Sequence, residues 1–358
     1  MKKYLLTIIA VIMMTLSMKA QGGGQCGDNL TYYFDEDKGT LTISGTGDMW
    51  DYPHFDYPGI NGNTSLKHLV IEEGVTSIGA ESFMFQIYLQ DISMPNTLIS
   101  IGYRAFYASV ALSSVEIPNS VTTIGKEAFR ANDIESLTLG NSVSYIGELA
   151  FAENHHLKHI TIPNSLKTIQ VGTFYNCKNL ESVDFGNSLV SIDMVAFQDC
   201  SLTTISLPET LLSIGDVAFS GNNFVSVFIG AITPPECNET NFDQNTYEQA
   251  TLFVPIGCKS LYENADTWKN FVNIVESGEF TNKNEMTDIS LYPNPARDHI
   301  KISSMNGHPS VVKIYNAHGI LVNEYEMNSS EIDINISDYK RGIYFIDVEG
   351  VMNKVVVK

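Results

Sequence analysis

The chain has 358 residues, a length that accommodates two or three domains. Its 44% hydrophobic and 17% charged residues are typical of a folded protein rather than a disordered one. The formal net charge of −20 excludes nucleic acid and anionic membrane surfaces as partners, because both require clustered Lys and Arg.

Residues 1–20 have the pattern of a secretory signal peptide. Lys2 and Lys3 precede an apolar run over residues 5–16, and Ala20 ends a small-residue cleavage site. The run is too short to span a bilayer, so cleavage is favoured over a retained anchor. We therefore predict an exported protein with no transmembrane segment after signal cleavage.

Residues 21–65 are predicted to form an N-terminal β cap. Two β-prone runs, residues 30–34 and 40–45, flank an Asp- and Gly-rich turn and predict a hairpin. A calcium loop is the less favoured interpretation of this turn, because the alternating ligand spacing is missing. The three glycines at residues 22–24 are expected to form a flexible lead.

Residues 66–232 are organised by a repeat. Phenylalanines mark it with a period of about 22–23 residues: Phe83, Phe106, Phe129, Phe151, Phe174, Phe197 and Phe219. Five positions before each of them lies an isoleucine: Ile78, Ile101, Ile124, Ile146, Ile169, Ile192 and Ile214. A fixed period in the twenties predicts a solenoid in which each repeat is one rung of a continuous core.

Each rung has the same internal pattern. Ile160, Thr161 and Ile162 alternate apolar and polar as a half-buried strand does, and Pro163 ends the strand. Residues 125–128 are expected to form one turn of helix on the opposite side. Small polar or thiol side chains recur three positions after each phenylalanine: Gln86, Ser109, Asn132, Asn154, Cys177, Cys200 and Asn222. We expect them to form a ladder that hydrogen-bonds otherwise unpaired backbone groups.

The repeat resembles a known family. Residues 105–125 closely follow the pattern A-F-x-x-[NC]-x-x-L-x-x-I-x-I-P-x-x-[VL]-x-x-I-G, which resembles the BspA-like leucine-rich repeats of bacterial surface proteins. Residues 39–49 and 233–277 are similar to the terminal segments of that family. The resemblance implies a repeat solenoid with one short parallel strand per rung of about 22–23 residues. It also implies a C-terminal cap over residues 233–277, made of a last strand and a short helix.

Residues 288–358 form a different module, after a polar linker over residues 278–287. Seven short β-prone runs predict a small, all-β, immunoglobulin-like sandwich. The module resembles the type A sorting domain of the type IX secretion system. The resemblance marks these residues as the sorting signal: Tyr292, Pro293, Asn294, Pro295, Gly319, Gly342, Tyr344, Lys354 and Lys358. It implies that the type IX secretion machinery is a partner, and that the chain passes the periplasm to the outer surface of a Gram-negative bacterium.

The residue types that carry chemistry form no catalytic pattern. Cys177 and Cys200 are interpreted as ladder thiols in preference to a bridge, and a disulfide between Cys237 and Cys258 is left open. The histidines at residues 155, 156 and 159 are interpreted as a solvated loop rather than a metal site. Hydrolase and phosphate-binding motifs are missing from the sequence. We predict a protein that is not an enzyme and has no metal or cofactor.

The outward positions of the predicted strands, which we name the strand face, are the candidate ligand-binding surface. The candidates are His68, Asp91, Ser93, Glu116, Thr138, His159, Thr161, Asp184 and Ser206. The outward columns are slightly acidic and contain no Trp, Tyr or Arg, the residues that dominate binding hot spots. Tight binding through this face alone is therefore not expected.

Three classes of function remain open. The leading hypothesis is a non-enzymatic, adhesin-like scaffold that binds proteins of a host matrix or of a neighbouring cell. The second is a structural envelope or coat protein without a specific host ligand. The third is a glycan-binding module or an undetected hydrolase; a glycan site would require aromatic residues clustered on one face.

Overall fold

The computed structural model describes residues 22–52, 65–277, 289–304, 310–316, 321–348 and 351–358. The predicted signal peptide, the predicted linker and Gly319 lie outside these residues. The described chain comprises a β-solenoid and, after it, two antiparallel sheets. The predicted fold class is confirmed.

The N-terminal segment is an antiparallel three-stranded sheet that runs into the solenoid. Strands β1 (Gly22–Gly27), β2 (Leu30–Asp35) and β3 (Thr40–Gly45) pair in that order, and β3 pairs in parallel with β5 (His68–Ile71) of the first rung. The predicted hairpin is confirmed. The flexible glycine lead is wrong, because Gly22–Gly27 makes backbone hydrogen bonds that need no side chains.

Each rung contributes two short strands to two parallel columns. The strand face is built from β5 (His68–Ile71), β7 (Asp91–Ser93), β9 (Ser114–Glu116), β11 (Ser136–Thr138), β13 (His159–Thr161), β15 (Ser182–Asp184), β17 (Thr204–Leu207), β19 (Ser226–Ile229), β20 (Thr251–Pro255) and β21 (Asn273–Ser277). The isoleucine column lies on β4 (Gly47–Asp48), β6 (Val75–Ile78), β8 (Ser100–Ile101), β10 (Thr123–Ile124), β12 (Tyr145–Ile146), β14 (Thr168–Ile169), β16 (Ser191–Ile192) and β18 (Ser213–Ile214). Paired strands are parallel and in register, as in Glu116 beside Thr138.

The phenylalanines form a stacked column along the solenoid axis. Consecutive rings lie 5.1 to 5.8 Å apart and within 15° of parallel, and all are fully buried. Phe242 continues the column, with its ring 5.5 Å from that of Phe219. The column therefore extends the repeat into the segment that was predicted to be a cap.

The segment between each isoleucine and phenylalanine is a turn, and the predicted turn of helix is wrong. In every rung, the residues two before and two after the phenylalanine have positive φ: Glu81, Phe85, Arg104, Ala108, Glu127, Ala131, Leu149, Glu153, Gly172, Asn176, Val195, Asp199, Val217 and Gly221. An α-helix needs consecutive residues near φ −63°, so a left-handed residue prevents it. The rung therefore bends around the phenylalanine without a helix.

Residues 233–277 close the solenoid with more structure than expected. Strands β20 and β21 extend the sheet of β19 in parallel, and three short helices cover the end: α1 (Gln244–Gln249), α2 (Lys259–Asn264) and a 3₁₀ helix (Trp268–Asn270). Trp268 is fully buried and its Nε1–H donates to the Pro235 carbonyl at 2.8 Å. The Tyr262 hydroxyl likewise donates to the Ala231 carbonyl at 2.6 Å.

The C-terminal module is a sandwich of two antiparallel sheets. The strands are β22 (Ile289–Tyr292), β23 (His299–Ser304), β24 (Ser310–Asn316), β25 (Leu321–Met327), β26 (Glu331–Asn335), β27 (Gly342–Val348) and β28 (Val351–Val357). One sheet has the order β22-β23-β26 and the other β25-β24-β27-β28. Their inner faces share a core that includes Ile300, Ile314 and Ile346.

An aromatic contact, which we name the clasp, joins this module to the solenoid. Phe345 on β27 packs against Phe228 on β19 and Phe253 on β20, with ring centroids 5.0 and 5.5 Å away. The rings of Phe228 and Phe253 are themselves stacked at 4.5 Å, and all three side chains are buried. The clasp therefore covers the C-terminal end of the strand face.

We expect Phe345→Ser to separate the two modules. Burial of a phenylalanine contributes roughly 1.5–3 kcal/mol, and Phe345 lies outside the core of its own sandwich, so both modules should stay folded. Small-angle scattering should show a larger radius of gyration. Phe228→Ser, which introduces the residue found at this position in the preceding rung, should also increase the radius of gyration. The control variant Val311→Ser should leave the radius of gyration unchanged. An unchanged radius in both clasp variants would contradict the contact.

Candidate functional site

The predicted strand-face residues lie where the repeat placed them. Seven of the nine are exposed, and His68 and Ser206 are half-buried. Residues of adjacent rungs stand side by side: His68 Nδ1 lies 2.8 Å from Asp91 Oδ2, and Glu116 is in register with Thr138. Phe228, which follows Ser206 in the same outward column, is buried under the clasp. The available face therefore ends before β19.

The strand face is divided into separate sheets, which the sequence did not indicate. Among its strands, β9 pairs with β11 and β13 pairs with β15, but β11 and β13 belong to different sheets. A cavity of about 420 Å³, which we name the central cleft, lies at this division. Its lining residues are Glu135, Ser136, Leu137, Thr138, Leu139, Asn141, Lys158, His159, Thr161 and Pro163. Three predicted candidates, Thr138, His159 and Thr161, thus share one cavity.

His159 organises the hydrogen bonds beside the cleft. Its Nδ1 lies 2.9 Å from the Ser182 hydroxyl, and its Nε2 lies 3.2 Å from the Thr161 hydroxyl and 3.4 Å from Asp184 Oδ2. Serine, histidine and aspartate in contact have the composition of a hydrolytic triad. The surroundings do not match one. The His159 and Asp184 side chains are 49% and 62% exposed, and the backbone here is paired between β13 and β15, so aligned N–H donors for an oxyanion are lacking.

We expect Ser182→Ala to leave ester hydrolysis unchanged. Without a dry site and an oxyanion hole, the hydroxyl gains nothing from the adjacent imidazole. The measurement is release of p-nitrophenol from p-nitrophenyl acetate by wild type, Ser182→Ala and His159→Gln. A rate that falls by more than about tenfold in both variants would reveal a hydrolase instead.

The polar column after each phenylalanine forms the predicted ladder. Asn154 Nδ2 donates to the carbonyls of Phe129 and Phe151 at 2.9 and 2.8 Å. The thiols of Cys177 and Cys200 donate to the phenylalanine carbonyls one rung away, each at 3.3 Å. The ladder interpretation is confirmed for these positions. All five cysteines are free thiols in the structure, so the disulfide between Cys237 and Cys258 that the sequence left open is not formed there.

We expect the ladder thiols to resist alkylation in the native protein. Burial raises the pKa of the Cys177 thiol to about 12 and that of Cys200 well above its usual value. Burial also raises the pKa of Cys26 to about 11 and of Cys237 to about 12. Because the thiolate is the nucleophile, iodoacetamide at about pH 8 should modify these four residues only after unfolding in denaturant. Mass spectrometry would identify the sites, and rapid native labelling of Cys177 would contradict the packing.

The turn side of the solenoid carries an ion-pair network that the sequence interpretation missed. Arg104 contacts Glu127 at 2.8 Å, and Arg130 contacts Glu153 at 2.8 Å and Glu127 at 3.7 Å. Lys126 pairs with a carboxylate of the next rung, Glu148, at 2.5 Å. Except for Arg130 and Glu127 within one rung, the partners are one repeat period apart in the sequence. The repeat period was therefore the signal that could have revealed them.

The comparisons with known proteins agree with this architecture. The family model described as BspA type leucine rich repeat region matches in six copies over residues 61–181 and 167–289, more than half of the chain. The chain belongs to the BspA-type leucine-rich repeat family. This leucine-rich repeat protein is similar to a solved leucine-rich repeat protein from Bacteroides ovatus: 22% identity, 70% of this chain, 67% of that chain, TM-score 0.46. It is also similar to a leucine rich cell surface protein from Faecalibacterium prausnitzii: 21% identity, 70% and 72% of the chains, TM-score 0.48.

A second family model matches the C-terminal module of the leucine-rich repeat protein. The secretion system C-terminal sorting domain covers residues 290–358, which shows that the chain is exported by type IX secretion to the cell surface. A curated relative, ulvan lyase NLR42 of Nonlabens ulvanivorans, is 38% identical over 72 residues, 20% of this chain. The chain spans about one-seventh of that relative, 14% of its length.

The predicted sorting residues that the structure describes lie at the end of β22 and just after it, on β27, and on and just after β28. The Asn294 Oδ1 accepts the Val356 N–H at 3.0 Å, and the Lys358 N–H donates to the Ala296 carbonyl at 2.8 Å. Gly342 begins β27, on which Tyr344 is buried, and the Lys354 backbone pairs with that of Phe345. The signal residues at both ends of the module are thus joined by hydrogen bonds. Their role in sorting remains a prediction.

The described part of the leucine-rich repeat protein has neither a metal-binding cluster nor a membrane-spanning helix. Within it, no group of three or more His, Cys, Asp or Glu side chains could hold a metal ion. No helix there has the length and apolarity needed to cross a membrane.

Proposed function

We propose that this surface protein is a non-enzymatic binding scaffold that holds a protein ligand, from a host matrix or a neighbouring cell, on its strand face. The observation that supports this is the central cleft, in which Thr138, His159 and Thr161 converge. These residues come from two rungs, so the cleft exists only when the solenoid is assembled. Export to the cell surface places this face where such a ligand is available.

The chemistry of the cleft fits a polar segment of a protein. Its rim has hydroxyls, the Asn141 amide, the Lys158 ammonium and the Glu135 carboxylate, while Leu137 and Leu139 form apolar parts of the lining. A cavity of about 420 Å³ accepts one or two side chains of a partner loop. A standard interface needs about 800 Å² per partner, so the flanking turns must contribute as well.

The exposure of the groups that could provide catalysis supports a binding role rather than an enzymatic one. The His159 imidazole and the Asp184 carboxylate are in contact with bulk water, where electrostatic stabilisation of a transition state is weak. The partial likeness to a lyase covers 20% of the chain and carries no residue role over to the strand face. The proposal is therefore a binding function.

The proposal is tested by blocking the cleft. Thr138→Arg and Thr161→Arg place long side chains over the cavity, and Tyr145→Arg places the same group on β12, outside the strand face. Immobilised whole chain would be exposed to fibronectin, laminin, collagen and surface extracts of neighbouring bacteria. We expect saturable binding of one protein, at least about tenfold weaker in both cleft variants and unchanged in Tyr145→Arg. Equal binding by all four proteins would overturn the strand-face assignment.

A structural coat is the second candidate, favoured by the composition of the strand face. The outward columns have no Trp, Tyr or Arg, and hot spots are built from these residues. Failure of every protein to bind saturably would favour this candidate over the first.

A further inference from the structure

An exposed apolar patch lies on the turn side of the first two rungs, away from the strand face. It consists of Phe85, Ile87, Tyr88, Tyr103, Tyr107 and Val110, and we name it the aromatic patch. Phe85, Ile87 and Tyr88 are 45–47% exposed and Val110 is 42% exposed. The Phe85 and Tyr107 rings meet edge to face at 5.5 Å, which links the two rungs.

The later rungs show that the fold does not require these residues. In the column of Phe85, two after the phenylalanine, the later rungs carry small or polar residues: Ala108, Ala131, Glu153, Asn176, Asp199 and Gly221. In the column of Ile87 and Val110, four after the phenylalanine, they carry Asp133, His155, Lys178, Ser201 and Asn223. The same turns thus form without a large apolar side chain in the Phe85 column and with polar side chains in the column of Ile87 and Val110. Contiguous exposed apolar surface of this kind marks interaction sites.

The backbone at Phe85 points to the same conclusion. Phe85 has φ +60°, a left-handed conformation that disfavours a bulky residue and tolerates asparagine, as at Asn176 with φ +57°. Phe85 is thus half-exposed and conformationally disfavoured at once. Its backbone conformation therefore does not favour a phenylalanine at this position.

The charges beside the patch make it a place where two acidic chains can approach. Arg104 lies over the Tyr103 and Tyr107 rings, 4.9 and 5.3 Å from their centroids, and pairs with Glu127. The neighbouring network balances the three cations Arg104, Lys126 and Arg130 against the three carboxylates Glu127, Glu148 and Glu153. The chain as a whole carries −20. Repulsion between copies is therefore smaller here than over an average part of the surface.

We propose that the aromatic patch binds the aromatic patch of a second copy of this chain. With about 200 Å² for each aromatic side chain, the exposed fractions of Phe85, Tyr88 and Tyr103 amount to roughly 260 Å², and the other three residues bring the patch to roughly 400 Å² per copy. A standard stable interface buries about 800 Å² per partner, so the association is weak in dilute solution. Display on one cell surface raises the local concentration of copies, and a weak contact becomes occupied there. The partner is thus the neighbouring copy of the chain.

The test is sedimentation equilibrium of the purified whole chain up to about 1 mM, the range of a weak dimer. We expect a monomer–dimer equilibrium that tightens from about 0.05 to 0.5 M NaCl, because salt screens the like charges and leaves apolar contact intact. Phe85→Asn and Ile87→Lys, which introduce residues of the same columns, should each weaken it at least about tenfold. Met194→Glu, which removes another exposed apolar residue at a distant rung, should not change it.

The stability of the variants distinguishes an interface from internal packing. Phe85→Asn should unfold at the same temperature as the wild type or higher, because it relieves the left-handed phenylalanine. A wild type that stays monomeric, variants that dimerise as it does, or variants that unfold at lower temperature would each overturn the proposal. A monomer that is retarded on an agarose matrix, with the retardation lost in Phe85→Asn, would assign the patch to a glycan and overturn it as well.

Discussion

Replacing Phe129 by alanine should lower the free energy of unfolding by about 3–5 kcal/mol. Phe129 is fully buried, and its ring stacks on those of Phe106 and Phe151 at 5.1 and 5.4 Å. The rungs on both sides are held by backbone hydrogen bonds at fixed spacing, so the cavity cannot close by collapse. The loss therefore includes both the transfer of the ring and the unfilled space.

Guanidinium unfolding followed by circular dichroism measures this loss. Tyr145→Ala is the matched control, because Tyr145 is an aromatic residue of the next rung that is 46% exposed. The control should change the free energy of unfolding by about 0.5 kcal/mol or less. If Phe129→Ala costs no more than the control, the ring column does not hold the solenoid together.

The rung architecture could be predicted because its signal is periodic. Phe129 and its equivalents recur in the sequence at the period of the structure, so one alignment places every rung and every strand-face residue. The same repeat spacing also predicts Phe242, which follows Phe219 by one repeat period. Pro234 and Pro235 interrupt the pattern between the two and concealed the additional rung.

The turns could not be predicted because their residue types carry no conformational signal. Leu149, Val195 and Val217 have positive φ, although leucine and valine are disfavoured there. Gly172, Asn176, Asp199 and Gly221 share these columns and are the residue types that tolerate left-handed backbone, but most rungs have other residues there. The conformation follows from closing so short a rung around its phenylalanine, which is a tertiary constraint that overrides local preference.

The candidate site was predicted in part. Alternation along residues 159–161 places His159 and Thr161 outward, but the central cleft depends on whether β11 and β13 exchange backbone hydrogen bonds. Whether two such strands pair depends on small displacements of one relative to the other, by less than one residue, which no residue pattern encodes. The clasp joins Phe228 to Phe345, which lies in a different module far along the chain. Phe228 is the one aromatic residue in the predicted outward columns, a signal that could have indicated the covered position the structure shows.

Replacing Asn154 by alanine should cost about 3–5 kcal/mol, which is as much as removing a buried ring. Asn154 is fully buried; its Nδ2 donates to the Phe129 and Phe151 carbonyls, and its Oδ1 accepts the Ile134 N–H at 3.3 Å. Alanine leaves the Phe129 carbonyl and the Ile134 N–H in an apolar interior without this partner, while the Phe151 carbonyl keeps the Cys177 thiol as a donor. Each such group costs about 1–3 kcal/mol.

The ladder itself supplies the variant that separates hydrogen bonding from volume. Asn154→Cys introduces the residue of the next rung, where Cys177 donates to the Phe151 carbonyl, so one of the three bonds should return. We expect Asn154→Cys to be about 1 kcal/mol more stable than Asn154→Ala. Asn119→Ala removes an exposed side chain whose Oδ1 accepts the Asn141 N–H at 2.9 Å, and water can replace it at little cost. Should Asn154→Ala lose no more stability than Asn119→Ala, the ladder would be a consequence of the repeat and not one of the interactions that stabilise it.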